Sequence, residues 1–145
     1  MSELPFFVYG TLRPGAHNHD RFLRGRTAAE EPARLPCARL HDGPGHPYAV
    51  RAADGEVVGD LVHAAPGAYA GLIAELDRLE DYFGPGHPLN LYTRETCEVV
   101  RVHDGAAVRA WVYLATARAG LGAPVAGGDW FSRPRRPVPD APRTP

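Results

Sequence analysis

The apolar residues of this chain fall into two kinds of pattern. Leu4 to Tyr9 is a short β-rich run (Phe6, Phe7, Val8, Tyr9) that stops abruptly at Gly10. A continuous apolar run of that length, ended by a turn residue, predicts a buried strand. Thr11-Leu12-Arg13-Pro14-Gly15 follows as a turn, and the polar stretch AHNHDRFLRG leaves room for one or two helical turns. Residues 26–51 are rich in Pro, Gly and Arg and predict short strands and loops rather than long helices. Glu56 to His63 predicts another strand. Pro66 then opens a helix running to Phe83, with proline at the start where its missing N–H does no harm. Two further strands, Tyr92–Val102 and Ala107–Thr116, flank His103-Asp104-Gly105, whose Asp-Gly step marks a hairpin.

The predicted helix carries an anomaly. With residues at about 100° intervals and Leu76 at zero, Tyr69, Leu72, Ile73, Leu79 and Phe83 all fall within about 60° of it. They form one apolar stripe. Glu75, Asp77, Arg78 and Asp81 lie outside the stripe, where a surface helix keeps its charges. Glu80 lies inside it, at about +40°. A carboxylate facing a core must be paired, hydrogen-bonded or protonated, and burial raises its pKa. Three readings follow: a structural anchor bound to an Arg or to backbone amides, a charge at the stripe's exposed margin, or a group that takes and gives a proton near neutral pH.

The element order suggests an α+β domain whose mostly antiparallel or mixed sheet curls around a core. It lacks the βα alternation of a dinucleotide-binding fold, and no GxGxxG follows the first strand. Residues 1–131 make one domain on this reading. From Ser132 onward, SRPRRPVPDAPRTP holds five prolines and four arginines in fourteen residues, so residues 132–145 are expected to be a disordered tail that the fold can do without.

Composition narrows the chemistry. All 16 basic residues are Arg, so neither Schiff-base catalysis nor a P-loop lysine is available. The only serines are Ser2 and Ser132, which argues against a serine hydrolase. Net charge is -1, unsuited to gripping nucleic acid, and no segment is long enough to span a membrane. Cys37 and Cys97 form no CxxC and no export signal is visible, so the expected setting is the reducing cytoplasm. Carboxylates (17) and histidines (7) dominate the remaining reactive groups.

The turn after the first strand is the second feature of interest. A strand that stops at Gly and turns sharply exposes consecutive backbone N–H groups, a nest that suits a carboxylate or an oxyanion. FVYGTLRPG, with Tyr9, Gly10, Thr11 and Leu12 at its centre, resembles the signature loop of the γ-glutamylcyclotransferase-like (AIG2-like) family. LDRLEDY resembles that family's second motif, usually LDxxEGY, with Asp81 in place of the usual Gly. The likeness continues through Tyr92-Thr93-Arg94, Ala110-Trp111-Val112-Tyr113 and Gly128-Asp129-Trp130, in the family's order across residues 4–131.

The resemblance implies a small barrel-like sheet with one main helix. It also implies a metal-free, cofactor-free enzyme acting on a small-molecule γ-glutamyl amide. In that reaction the substrate's α-amine attacks its own γ-carbonyl and releases 5-oxoproline and an amine. Glu80 would be the acid/base, and the N–H groups of Gly10, Thr11 and Leu12 would hold the glutamyl carboxylate or the oxyanion. Tyr9 and Tyr113 would line the pocket and hydrogen-bond the substrate, Arg94 would partner an anion, and Asn18 would support the loop. The Pro/Gly-rich segment Phe83–Leu91 would shape the substrate pocket. Two other readings remain open on the residues: a binding protein that keeps the scaffold without turnover, and a metal hydrolase built on His17, His19 and Asp20 with other histidines, though no HExxH or similar spacing is present.

Overall fold

The computed structural model describes residues 3–132. Five strands, β1 (Phe6–Val8), β2 (Thr27–His41), β3 (Tyr48–Ala64), β4 (Tyr92–Arg101) and β5 (Ala107–Ala115), close into a barrel in the order β1-β3-β2-β4-β5. All neighbours are antiparallel except β1 and β5, which run parallel, so the α+β barrel expected from the sequence is mixed. Closure is thin there: Phe6 pairs with Trp111, and the Trp111 N–H donates to the Pro5 carbonyl at 2.9 Å. A six-residue helix α1 (His17–Phe22) follows the signature turn, and the main helix α2 (Tyr69–Leu79) packs outside the barrel.

Residues 26–51 depart from expectation. They form a 15-residue strand and the start of a 17-residue one, not short pieces. The pairing shifts register between Pro36 and Ala38, where Cys37 takes a left-handed φ of 58°. That bulge moves the buried alternation from Ala33 and Leu35 to Ala38 and Leu40. Pro36 is tolerated at the bulge, on a stretch of β2 that β4 no longer accompanies.

Two apolar cores result. One fills the barrel, with Phe7, Leu35, Leu40, Leu61, Val99 and Val112 among its members. The other seals α2 onto the barrel wall, where Leu72 and Leu76 meet Phe6, Val8, Val62 and Tyr113. β1 is buried on both faces, Phe7 and Tyr9 inward, Phe6 and Val8 toward the helix, which is why it reads as an unbroken apolar run.

The stripe of α2 is shorter than its sequence suggests. Tyr69, Ile73 and Leu79 pack against the second core, but Phe83 is 56 % exposed because the helix has ended before it. Asp81 N–H donates to the Arg78 carbonyl (3.2 Å) and Tyr82 N–H to the Asp77 carbonyl (2.9 Å). This is a Schellman stop, with Asp81 in the left-handed position (φ 51°) that glycine usually fills. The expected tail lies, apart from Ser132, outside the described residues. Among the described residues no helix is long and apolar enough to cross a membrane.

Candidate active site

The end of β1, the turn that follows it, the 43–47 loop between β2 and β3, and the C-terminus of α2 converge on one end of the barrel. They enclose an inner pocket of about 40 Å³ whose lining includes Tyr9, Gly10, Thr11, Leu12, His46, Glu80, Tyr92 and Tyr113. The two features singled out in the sequence, 70 residues apart, therefore face the same space.

Glu80 is the first residue past α2, with φ −89° and ψ 7°. Its side chain makes no hydrogen bond or ion pair with any described residue, which removes the anchor reading. Burial pushes its pKa from 4.5 up to about 8, and the negative charge of Asp81 adds to the rise. The surrounding protein withholds water from the carboxyl, yet the residue keeps a partly open edge onto the pocket.

Opposite it, the signature turn is held by its own backbone. Arg13 N–H donates to the Gly10 carbonyl (3.1 Å) and Asn18 N–H to the Thr11 carbonyl (2.9 Å). The Asn18 side chain also donates to the Thr11 hydroxyl at 2.9 Å, so Asn18 sits where loop support was expected. The N–H groups of Gly10, Thr11 and Leu12 donate to no described residue, although Gly10 and Leu12 are buried. Unpaired buried donors beside a pocket suit an incoming anion. Gly10 is required for a different reason from the turn: a Cβ there would come within 2.6 Å of the Pro47 ring.

Two expectations need correction, and a third narrows. Tyr9 and Tyr113 line the pocket, but each spends its single proton on the protein, so toward a substrate each hydroxyl can only accept. The Tyr9 hydroxyl donates to the Tyr113 carbonyl, and the Tyr113 hydroxyl donates to Asp77 at 2.6 Å. Arg94 does not reach this pocket. Its guanidinium makes a two-pronged pair with Asp77 (2.7 and 3.2 Å) and stacks 4.3 Å above the Trp111 ring. Phe83 to Pro85 line a separate groove beside Arg94 and Trp111, and of that segment Leu91 borders the cavity that Glu80 lines.

Two residues escaped the sequence reading. Asp77, taken as a solvated surface charge, is partly buried and ties Arg94 of β4 to Tyr113 of β5. His46 is one of the other histidines that the sequence offers only as metal donors. The Tyr92 hydroxyl gives its proton to the Pro47 carbonyl (2.7 Å), so the His46 Nδ1 at 2.9 Å must be the donor to that hydroxyl. Burial lowers the His46 pKa, which leaves a neutral ring whose Nε2 bears only a lone pair. Of the proposed metal trio, His19 pairs with Glu30 at 2.6 Å, and no cluster of three potential ligands occurs among the described residues.

A profile of the family described as "Gamma-glutamyl cyclotransferase, AIG2-like" matches residues 6–132. The γ-L-glutamyl-butirosin B γ-glutamyl cyclotransferase of Niallia circulans is 31 % identical over 108 residues, 74 % of this chain and 64 % of that protein. YkqA from Bacillus subtilis is 26 % identical with a TM-score of 0.61, over 88 % of this chain and 39 % of that one. The chain thus spans less than two thirds of either relative. An AIG2-like protein from Mus musculus shares the fold, with a TM-score of 0.64 at 20 % identity over 96 % of this chain and 90 % of its own. The turn, Glu80 and the barrel that brings them together all lie inside the matched span, and the chain belongs to the γ-glutamyl cyclotransferase, AIG2-like family.

Proposed function

We propose that this protein cleaves a small-molecule γ-glutamyl amide by internal attack, releasing 5-oxoproline and a free amine, with Glu80 as the acid/base. The observation that carries the reading is the facing of an unpaired, desolvated carboxyl and three unpaired backbone N–H groups across one pocket. The loop donors hold the substrate's anionic oxygen, its α-carboxylate or the developing oxyanion. Holding the flexible glutamyl chain in one rotamer brings the α-amine against the γ-carbonyl, and intramolecular reactions gain most from such fixation.

The proton accounting needs one carboxyl of near-neutral pKa. The α-ammonium gives its first proton to solvent, leaving the attacking amine. Nitrogen then bonds to the γ-carbon, and Glu80, ionised, takes the second proton from that nitrogen. Collapse of the tetrahedral intermediate breaks the original C–N bond as Glu80 returns the proton to the leaving nitrogen. The amine departs and takes up a further proton from water. No protein nucleophile is required, which suits a chain without lysine. The N. circulans relative supports an amine belonging to a natural-product intermediate. The free thiols Cys37 and Cys97 support a cytoplasmic setting.

The test is a panel of γ-glutamyl amides assayed for 5-oxoproline, with Glu80→Gln alongside the wild type. Turnover is expected to fall about 10²-fold or more, the usual scale of acid–base catalysis. Full activity in the variant overturns the assignment of Glu80. Tight binding without 5-oxoproline from any amide overturns the reaction and leaves a binding protein on the same scaffold.

A further inference from the structure

The inner pocket opens into a wider outer cavity of about 180 Å³. The two share Thr11, His46, Glu80 and Tyr92, and the outer one adds His17, Asn18, Gly45, Leu79, Asp81 and Leu91. We propose that this outer cavity receives the amine half of the substrate and that Asp81 selects amines carrying a second positive charge. The inference rests on the cyclotransferase reading, since it takes the glutamyl half to occupy the inner pocket. The scissile amide must then lie at Glu80, and its nitrogen side leads into the space beyond.

Asp81 is the feature of that space that the fold does not explain. Its backbone is fully used, donating to the Arg78 carbonyl and accepting from the Leu91 N–H at 3.1 Å. Its carboxylate pairs with no described residue. It stands at a φ of 51°, in the helix-ending position that glycine usually fills and that Asp, like Asn, tolerates. An unpaired charge in the wall of a cavity beside the reacting carboxyl is placed to meet a ligand there. No Arg lines the cavity. His17 and His46 also line it, and burial lowers the His46 pKa, so Asp81 places its charge in a wall without a permanent cation, a setting that favours a cationic ligand. Diamines, polyamines and aminated sugars share this chemistry: an ammonium a few atoms from the reacting nitrogen.

The test compares the γ-glutamyl amides of 1,5-diaminopentane and of pentylamine, equal in length and differing in the terminal ammonium. Asp81 is exposed, so wild-type kcat/KM is expected to favour the diamine by about fivefold at low salt, with the preference shrinking as salt is raised. Asp81→Asn keeps a residue that tolerates the left-handed conformation, and it should bring the ratio close to one. Any effect of the substitution on the acidity of Glu80 acts on both amides and cancels in the ratio. No wild-type preference, or the same ratio in Asp81→Asn, overturns the proposal. If neither amide yields 5-oxoproline, the wider panel decides the cyclotransferase reading by itself, and the cavity is judged by calorimetric binding of the same pair. A diamine preference lost in Asp81→Asn then upholds the subsite, while equal binding or none overturns it.

Discussion

Glu80 is visible at both levels because its conflict is local: one charge among apolar positions three and four residues apart. Its raised pKa makes folding sense of the site as well as chemical sense. A carboxyl whose pKa moves from 4.5 to about 8 on folding is held preferentially in its protonated form. The stability from that preference is complete below about pH 4.5 and is lost as pH rises through about 8. Over that window the loss is on the order of 3–5 kcal/mol, taken toward the lower end because part of the side chain meets solvent. Glu80→Gln does not ionise, so its melting temperature should match wild type at pH 5 and exceed it by several degrees at pH 9. An equal difference at both pH values would refute a carboxyl kept protonated by its surroundings. His46 was not legible in this way. Its role depends on whether Tyr92, 46 residues further on, keeps or gives away its proton, and no local pattern records that.

At the level of elements, α2 was read correctly in kind and wrongly at both ends: Gly67, at φ 81°, holds its start back from Pro66 to Tyr69. The stripe extrapolates to Phe83, but the Schellman turn at Asp81 stops the helix, and nothing in the apolar spacing competes with an aspartate where glycine is customary. Asp77 shows the complementary failure. Its angle on the helix marks it as a surface charge, yet β4 and β5 lie against that side and turn it into a junction. It accepts from Arg94 and from the Tyr113 hydroxyl, and Tyr113 in turn walls the pocket and receives the Tyr9 hydroxyl on its carbonyl. Asp77→Ala leaves a partly buried guanidinium and a phenol without their acceptor. It should cost about 2–4 kcal/mol in urea unfolding and lower kcat/KM through the displaced pocket wall. Asp77→Asn, which keeps an acceptor oxygen, should recover a good part of both. Full stability in the alanine variant would show that the junction is solvated after all. The long strands β2 and β3 escaped for another reason: the bulge at Cys37 shifts the alternation by one residue, and two prolines within β2 disguise it as a loop.

Closure of the barrel belongs to the whole molecule. A curled sheet was legible from the order of strands, whereas the parallel contact of β1 with β5 joins segments about a hundred residues apart and leaves no local mark. Arg13 fastens the same region from the other side. Its Nε donates to Asp60 of β3 at 2.9 Å, its terminal nitrogen donates to Asp129 at 2.8 Å, and its guanidinium lies 4.2 Å from the centre of the Phe131 ring. The signature turn, the middle of the chain and its C-terminal segment thus meet on one planar fork, which gives physical content to two motifs that the sequence shows only as words, TLRPG and GDW. Removing the fork leaves Asp60, nearly buried, without its cation. Arg13→Leu should therefore lower stability by about 2–4 kcal/mol. Arg13→Leu keeps the backbone N–H that closes the turn on Gly10 but loses the side chain that pins this residue to Asp60 and Asp129. The loop donors should then lose their alignment, and kcat/KM should fall even well below the melting temperature. Arg13→Lys restores one charge but cannot serve two carboxylates in fixed directions, so it should recover only part of the loss. Denaturant midpoints and 5-oxoproline release measured on both variants decide the matter. A lysine variant equal to wild type in both would mean that charge alone, and not the fork joining three parts of the chain, holds the turn in place.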